Sequence, residues 1–274
     1  MAQPSNLITR LVTGLIGIPV ILALLFLGPP WAWLLVVLAA AAVGAFELFG
    51  MTHPGDGVMR VVGVLLTEAV IGVLWAYGAQ PKVLVTLIMI LPVVATMLVL
   101  WRLGDIHTAA TRVAANAFGP LYLGGGLGSV ALLRRDGLGD GPAFVVLALM
   151  LAWASDTGAY FAGRFLGKHK LYEAVSPKKT VEGAIGGLGG SLAGALAAHF
   201  LFLRSLPLLD GVILALVAGA LGQAGDLGES LLKRSSGVKD SGGIIPGHGG
   251  ILDRVDALLV TGTMTYLYVM WTRL

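Results

Sequence analysis

Four carboxylates and a glycine-rich loop crowd into one short stretch of this chain. The run GQAGDLGESLLKR sets Asp226, Glu229 and Lys233 at i, i+3 and i+7, which is one face of a helix. Further on, LDRVD sets Asp253 and Asp256 three residues apart on the opening turns of a second helix. The chain has no cysteine and only five scattered histidines, so this acidic set suits a hard cation such as magnesium. Magnesium takes oxygen ligands and leaves coordination positions for phosphate oxygens. Between the acidic pairs lies KDSGGIIPGHGG, with five glycines in 12 residues. Glycine lets backbone N–H groups come close to a phosphate and form an anion-binding concavity. Lys239, His248 and Arg254 flank or end that loop, and Lys233 and Arg234 close the helix before it. Salt bridging to Lys233 or Arg254 is the plain alternative for Asp226 or Asp253 taken singly, but the set holds more acids than the adjacent bases require. His248 stays open between orienting a phosphate, shuttling a proton and holding the loop.

A second cluster comes from WASDTGAYFAGRFLGKHKLYEAVSPKKTVEG. Asp156, Tyr160 and Arg164 recur at i, i+4 and i+8, so an aspartate inside an apolar run shares a helix face with a cation about two turns away. An ionisable group at membrane depth is costly and marks a functional position by default. Ser176, Lys178, Lys179 and Thr180 then supply donors and positive charge just before the next apolar segment, where a phosphorylated ligand could meet a helix N-terminus. Ordinary positive-inside bias is the alternative for the two lysines.

These residues need a frame, and the composition supplies it. Of 274 residues, 57% are hydrophobic and 12% charged, far from the roughly one quarter charged of a soluble domain. Apolar runs long enough to cross a hydrocarbon core of about 30 Å recur along the sequence. They predict an all-α polytopic membrane protein with about nine transmembrane helices, at 10–28, 31–50, 58–78, 82–101, 114–133, 142–163, 182–203, 210–232 and 252–272. The whole chain, 1–274, reads as one integral membrane domain. Five spans fill 1–135, and four fill 142–274 with the chemistry-bearing loops 164–181 and 233–252. Thirteen of the 18 basic residues fall on the side of the N-terminus, which predicts a cytoplasmic N-terminus, an outside C-terminus and a cytoplasm-facing site. The first span has too weak a charged n-region for a signal peptide and is kept as a helix. Gly186, Gly190 and Gly194, four apart, predict a close-packed helix face. His199 reads as a satisfied core residue, and Glu47 and Glu68 are assigned no role. The basic pI of 9.3 follows from topogenic and phosphate-facing cations, with no nucleic-acid partner implied.

The run SLLKRSSGVKDSGGIIPGHGGILDRVD, Ser230 to Asp256, closely resembles the signature of phosphatidate cytidylyltransferases, also called CDP-diacylglycerol synthases. SDTGAY, GRFLGKHK and SPKKTVEG upstream are similar to elements of the bacterial members in order and spacing. The resemblance implies transfer of a cytidylyl group from CTP to phosphatidate, giving CDP-diacylglycerol and pyrophosphate. Magnesium is the implied cation, with potassium as an assisting ion. By the same resemblance Asp226 and Asp253 are the metal ligands, with Asp256, Glu229 and Asp156 as further contributors. Lys178, Lys179, Lys239 and Arg254 are phosphate clamps, and Ser176 and Thr180 add hydrogen bonds. A homodimer in the bacterial inner membrane is implied as well. A cation-coupled transporter would spread its acids across the membrane depth instead of bunching them. A CDP-alcohol phosphotransferase would carry a DGxxAR…GxxxDxxxD spacing that this sequence lacks.

Overall fold

The computed structural model describes residues 6–78, 80–242 and 249–273. Every one of the nine predicted segments is helical. The helices are α1 (Asn6–Leu27), α2 (Pro30–Thr52), α3 (Gly57–Tyr77), α4 (Pro81–Trp101), α5 (Ala109–Gly119), α6 (Gly125–Asp136), α7 (Gly141–Leu166), α8 (Val181–Leu201), α9 (Leu208–Ser235) and α10 (Leu252–Thr272). Among the described residues six of them, α2, α3, α4, α7, α8 and α9, are long and apolar enough to cross a membrane, and the chain is an all-α polytopic membrane protein. Proline starts several helices at the position where its missing N–H costs nothing, as Pro30 does for α2 and Pro81 for α4.

The fifth predicted segment differs in detail. Where one helix over 114–133 is expected, the chain runs α5, a π-helical turn at Pro120–Gly124, then α6. Pro120 has no N–H to donate and its ring crowds the preceding turn, so the helix widens there instead of running through. Gly124 follows because α3 is too near for a side chain: a Cβ would sit 2.9 Å from Val70 Cβ and 3.0 Å from the Thr67 carbonyl. The loop between α7 and α8 also holds a small antiparallel hairpin, β1 (Lys170–Tyr172) with β2 (Ser176–Thr180), pairing Lys170 with Thr180 and Tyr172 with Ser176.

By contacts the chain divides into two compact units. The first comprises Met1–Ala131 with Asp240–Arg254, and the second Leu132–Lys239 with Val255–Leu274. In the first, His53 caps the C-terminus of α2 and is buried; its Nδ1 lies 3.0 Å from the Thr52 hydroxyl. Burial and the Arg112 charge hold the His53 imidazole below its ordinary value against the opposing pull of Asp56. Asp56 caps α3 by accepting from Met59 N and pairs with Arg102 at 3.1 Å.

In the second unit α7 and α8 pack along their glycines. A Cβ on Gly186 would lie 2.8 Å from the Gly158 carbonyl oxygen, and one on Gly194 3.2 Å from that of Met150. A Cβ on Gly190 would collide with the Ala154 carbonyl oxygen. The close-packed face expected of Gly186, Gly190 and Gly194 is therefore present. Ser191 adds a buried hydrogen bond to the Leu151 carbonyl, and Thr261 of α10 adds one to that of Ala148. His199 donates through Nδ1 to the Leu206 carbonyl at 2.8 Å, as a satisfied core residue should.

Candidate active site

The second unit contains a cavity of about 410 Å³ walled by three helices and the hairpin. α7 contributes Asp156, Tyr160 and Arg164, which the i, i+4, i+8 spacing puts on one face. Arg164 donates to the Tyr160 hydroxyl at 2.6 Å and stands 5.9 Å over its ring. β2 contributes Lys178, Lys179 and Thr180, and α9 contributes Asp226. Thr180 also caps α8, its hydroxyl oxygen accepting from Gly183 N at 3.1 Å. Lys178 and Lys179 thus stand at the end of β2, directly before the N-terminus of α8, where helix amides favour negative charge.

Lys179 Nζ lies 2.6 Å from Asp226 Oδ2, both side chains being about one quarter exposed. The cavity therefore pairs a cation from the hairpin with an acid from α9. Next to it, Glu229 is buried and takes Lys233 Nζ at 3.2 Å. Asp256 of α10 lies within electrostatic reach of Asp226 and Glu229. Ser176 pairs with Tyr172 on the hairpin and is not among the cavity-lining residues. Arg234 donates to the Val238 carbonyl at 3.0 Å, which closes the end of α9. Lys239 is exposed. His248 lies outside the described residues.

Asp253 belongs to the first unit, at the N-terminus of α10. Its Oδ2 accepts from Ser241 N at 3.1 Å, Ser241 Oγ at 3.0 Å and Gly250 N at 3.3 Å. These bonds tie together the two ends of the glycine-rich loop. Arg254 is exposed beside it, its backbone N–H donating to the Ile251 carbonyl at 2.9 Å. Glu47 of α2, given no role in the sequence reading, is buried against the same loop ends and accepts from Ile251 N, Leu252 N and Ser241 Oγ. The signal for it was a lone carboxylate in an apolar helix, which is expensive unless partnered. Gln223 was also missed. It lines the cavity one turn before Asp226, its amide donating to the Ala184 carbonyl at 3.1 Å.

The donor chemistry fits magnesium: the acids are oxygen ligands, and no thiolate competes. Among the described residues, no group of three or more acidic, histidine or cysteine side chains forms a ready metal site. The Asp226 carboxylate instead holds Lys179.

The sequence profile of the Cytidylyltransferase family matches residues 8–272. The chain belongs to that family. Curated relatives of this family member named phosphatidate cytidylyltransferase include one from Synechocystis, 40% identical over 172 residues, covering 62% of this chain and 55% of that one. One from Staphylococcus haemolyticus is 44% identical over 138 residues, covering 50% and 52%. One from Staphylococcus aureus strain COL is 48% identical over 122 residues, covering 44% and 46%. The matched region thus spans about half the length of these relatives.

Proposed function

We propose that this protein transfers a cytidylyl group from CTP to phosphatidate, giving CDP-diacylglycerol and pyrophosphate. The observation that carries the reading is the cavity of the second unit, where Lys178, Lys179 and Thr180 share walls with Asp156 and Asp226 in a chain of the cytidylyltransferase family. A phosphate oxygen of phosphatidate attacks the α-phosphorus of CTP. The bond from that phosphorus to the bridging oxygen breaks, and pyrophosphate leaves with the electron pair.

In this reading Lys178 and Lys179 take the phosphates and offset charge that builds up in the transition state. Thr180 and the N-terminus of α8 add donors, and Arg164 with Tyr160 guards the rim. Asp226 and Asp253 would hold magnesium, with Asp156, Glu229 and Asp256 as further acids. Magnesium, when bound, supplies neutralisation of phosphate charge and polarisation of the reacting phosphorus. Lys239, His248 and Arg254 are proposed as further catalytic groups and Ser176, Lys233 and Arg234 as further substrate-binding ones, with potassium to assist as a second ion. Nine spans, a cytoplasmic N-terminus, an outside C-terminus, a homodimer and a bacterial inner-membrane location complete the proposal. The excess of basic residues in the even-numbered loops supports that orientation. Such a location lets phosphatidate enter from the bilayer and CTP from the cytosol.

The test is pyrophosphate release by purified protein in detergent–lipid micelles. Release is expected only with CTP, phosphatidate and magnesium together, not with GTP or diacylglycerol substituted. No release from folded, lipid-supplemented protein overturns the reading, and a cation-flux assay would follow.

A further inference from the structure

We propose that Glu47 is a positioning residue that joins the two stems of the glycine-rich loop, at Ser241 and at Ile251–Leu252, and fixes the Asp253 carboxylate; its catalytic meaning rests on the cytidylyltransferase reading above. Glu47 lies in the C-terminal part of α2, which ends at Thr52, and is 5% exposed. Its Oε1 accepts from Ile251 N at 3.2 Å, and its Oε2 from Leu252 N at 3.0 Å and Ser241 Oγ at 3.1 Å. The first two donors stand at the N-terminus of α10, where backbone N–H groups lack helical partners and a carboxylate is stabilised by the helix dipole. The third donor belongs to the opposite end of the loop. One side chain therefore grips both stems.

Ser241 extends the grip to Asp253. Its hydroxyl has one proton and lies 3.1 Å from Glu47 Oε2 and 3.0 Å from Asp253 Oδ2. It serves only one carboxylate at a time, so the two acids are linked through a single hydroxyl. Asp253 Oδ2 is held further by Ser241 N and Gly250 N, and its orientation depends on where those stems are.

The glycines of the stems explain themselves by the same contact. A Cβ on Gly242 would collide with Glu47 Oε1 and lie 2.7 Å from its Cδ. A Cβ on Gly250 would lie 2.6 Å from Glu47 Oε2 and collide with Ser241 Oγ. Two signature glycines thus leave room for a glutamate about 200 residues away, as well as serving any need for close approach to phosphate.

Glu47→Gln keeps size and shape but replaces one acceptor oxygen with an NH2 group, which cannot accept from Ile251 N or Leu252 N. In the purified full chain, amide exchange at residues 249–252 is expected to accelerate roughly tenfold or more, the scale of a lost charge-assisted hydrogen bond. The kcat for pyrophosphate release is expected to fall at least about tenfold, while KM for CTP and for phosphatidate changes by less than about threefold, since Glu47 is buried and its oxygens are taken by the loop stems. Gly242→Ala is expected to damage kcat in the wild-type background and to add little to Glu47→Ala, because the colliding carboxylate is then gone. Unchanged exchange and kcat in folded Glu47→Gln would overturn the latch. So would a loss of folded protein with unaltered kcat in what remains, or additive Gly242 and Glu47 effects. If wild-type protein releases no pyrophosphate, the functional reading fails by itself, and the exchange arm still decides the latch.

Discussion

Replacing Gly190 by alanine tests whether the wall of the proposed site depends on direct backbone contact between two helices. The new Cβ would collide with the Ala154 carbonyl oxygen and stand 2.8 Å from its carbon, where ordinary contact begins at 3.4 Å. Backbone atoms have no rotamer to retreat into, so α7 and α8 must separate locally by about an ångström. Overpacking of this kind costs about 1–3 kcal/mol. Gly189 supplies the control, being next in sequence on the same helix with nothing within 4 Å of its would-be Cβ. Gly189→Ala is expected to be neutral or to gain up to about 1 kcal/mol from helix propensity. The two variants should thus differ by about 1–4 kcal/mol. At about 2–4 °C per kcal/mol for a chain of this size, that is on the order of 10 °C in the unfolding midpoint in detergent. The same separation moves Asp156 and Tyr160 of α7 relative to Gly183 and Ala184 of α8 around the cavity. A displacement near 1 Å can cost about a hundredfold in turnover. Equal midpoints and equal turnover for the two variants would refute the close-packed interface and the dependence of the cavity on it.

Asp226→Asn is expected to lower pyrophosphate release more than about a thousandfold in protein that elutes and melts like wild type, and substantial activity would remove Asp226 from the site. Lys179→Ala, which takes the cation from Asp226, should reduce kcat/KM by about a hundredfold, and addition of a primary amine should restore part of it; undiminished activity counts against the phosphate role. Chelation of magnesium should stop release and its re-addition restore it, with the midpoint shifted in Asp253→Asn. For His53 the folded value lies below the ordinary 6.5, so folding favours its neutral form. Its contribution is complete above that value and is lost as pH falls below it. Wild type should therefore lose stability relative to His53→Gln between pH 7.5 and 5.5, and parallel melting curves would count against the burial of a neutral imidazole.

Much of the helical frame was legible because hydrophobic run length is a physical requirement of the bilayer and leaves a plain trace. The face shared by Asp156, Tyr160 and Arg164 was legible for a similar reason, since helical spacing alone fixes it. The π-helical turn at Pro120–Gly124 was not, because its cause is partly remote: Pro120 permits the widening, and the nearness of Val70 and Thr67 requires Gly124. The hairpin of β1 and β2 was hidden in a polar stretch too short to display a strand period. Lys179 could be read as a candidate for facing phosphate, but its pairing with Asp226 joins residues 47 positions apart, and local spacing carries no such information. Glu47 shows the limit most clearly. Its cost in an apolar segment was visible, but its partners were not.

Those partners also set an order of events during synthesis. Ile251 and Leu252 follow Glu47 by 204 and 205 residues. At about 5–20 residues per second, a ribosome needs roughly 10–40 s to make them after α2 has been completed. For that interval a glutamate lies within an apolar helix while the amides that will take its charge do not yet exist. The first compact unit, although begun by the earliest helices, closes only when residues 240–254 arrive. A chain arrested before that point would carry an acid in α2 without those partners, giving quality-control proteases in the membrane a means of distinguishing an unfinished chain from a finished one.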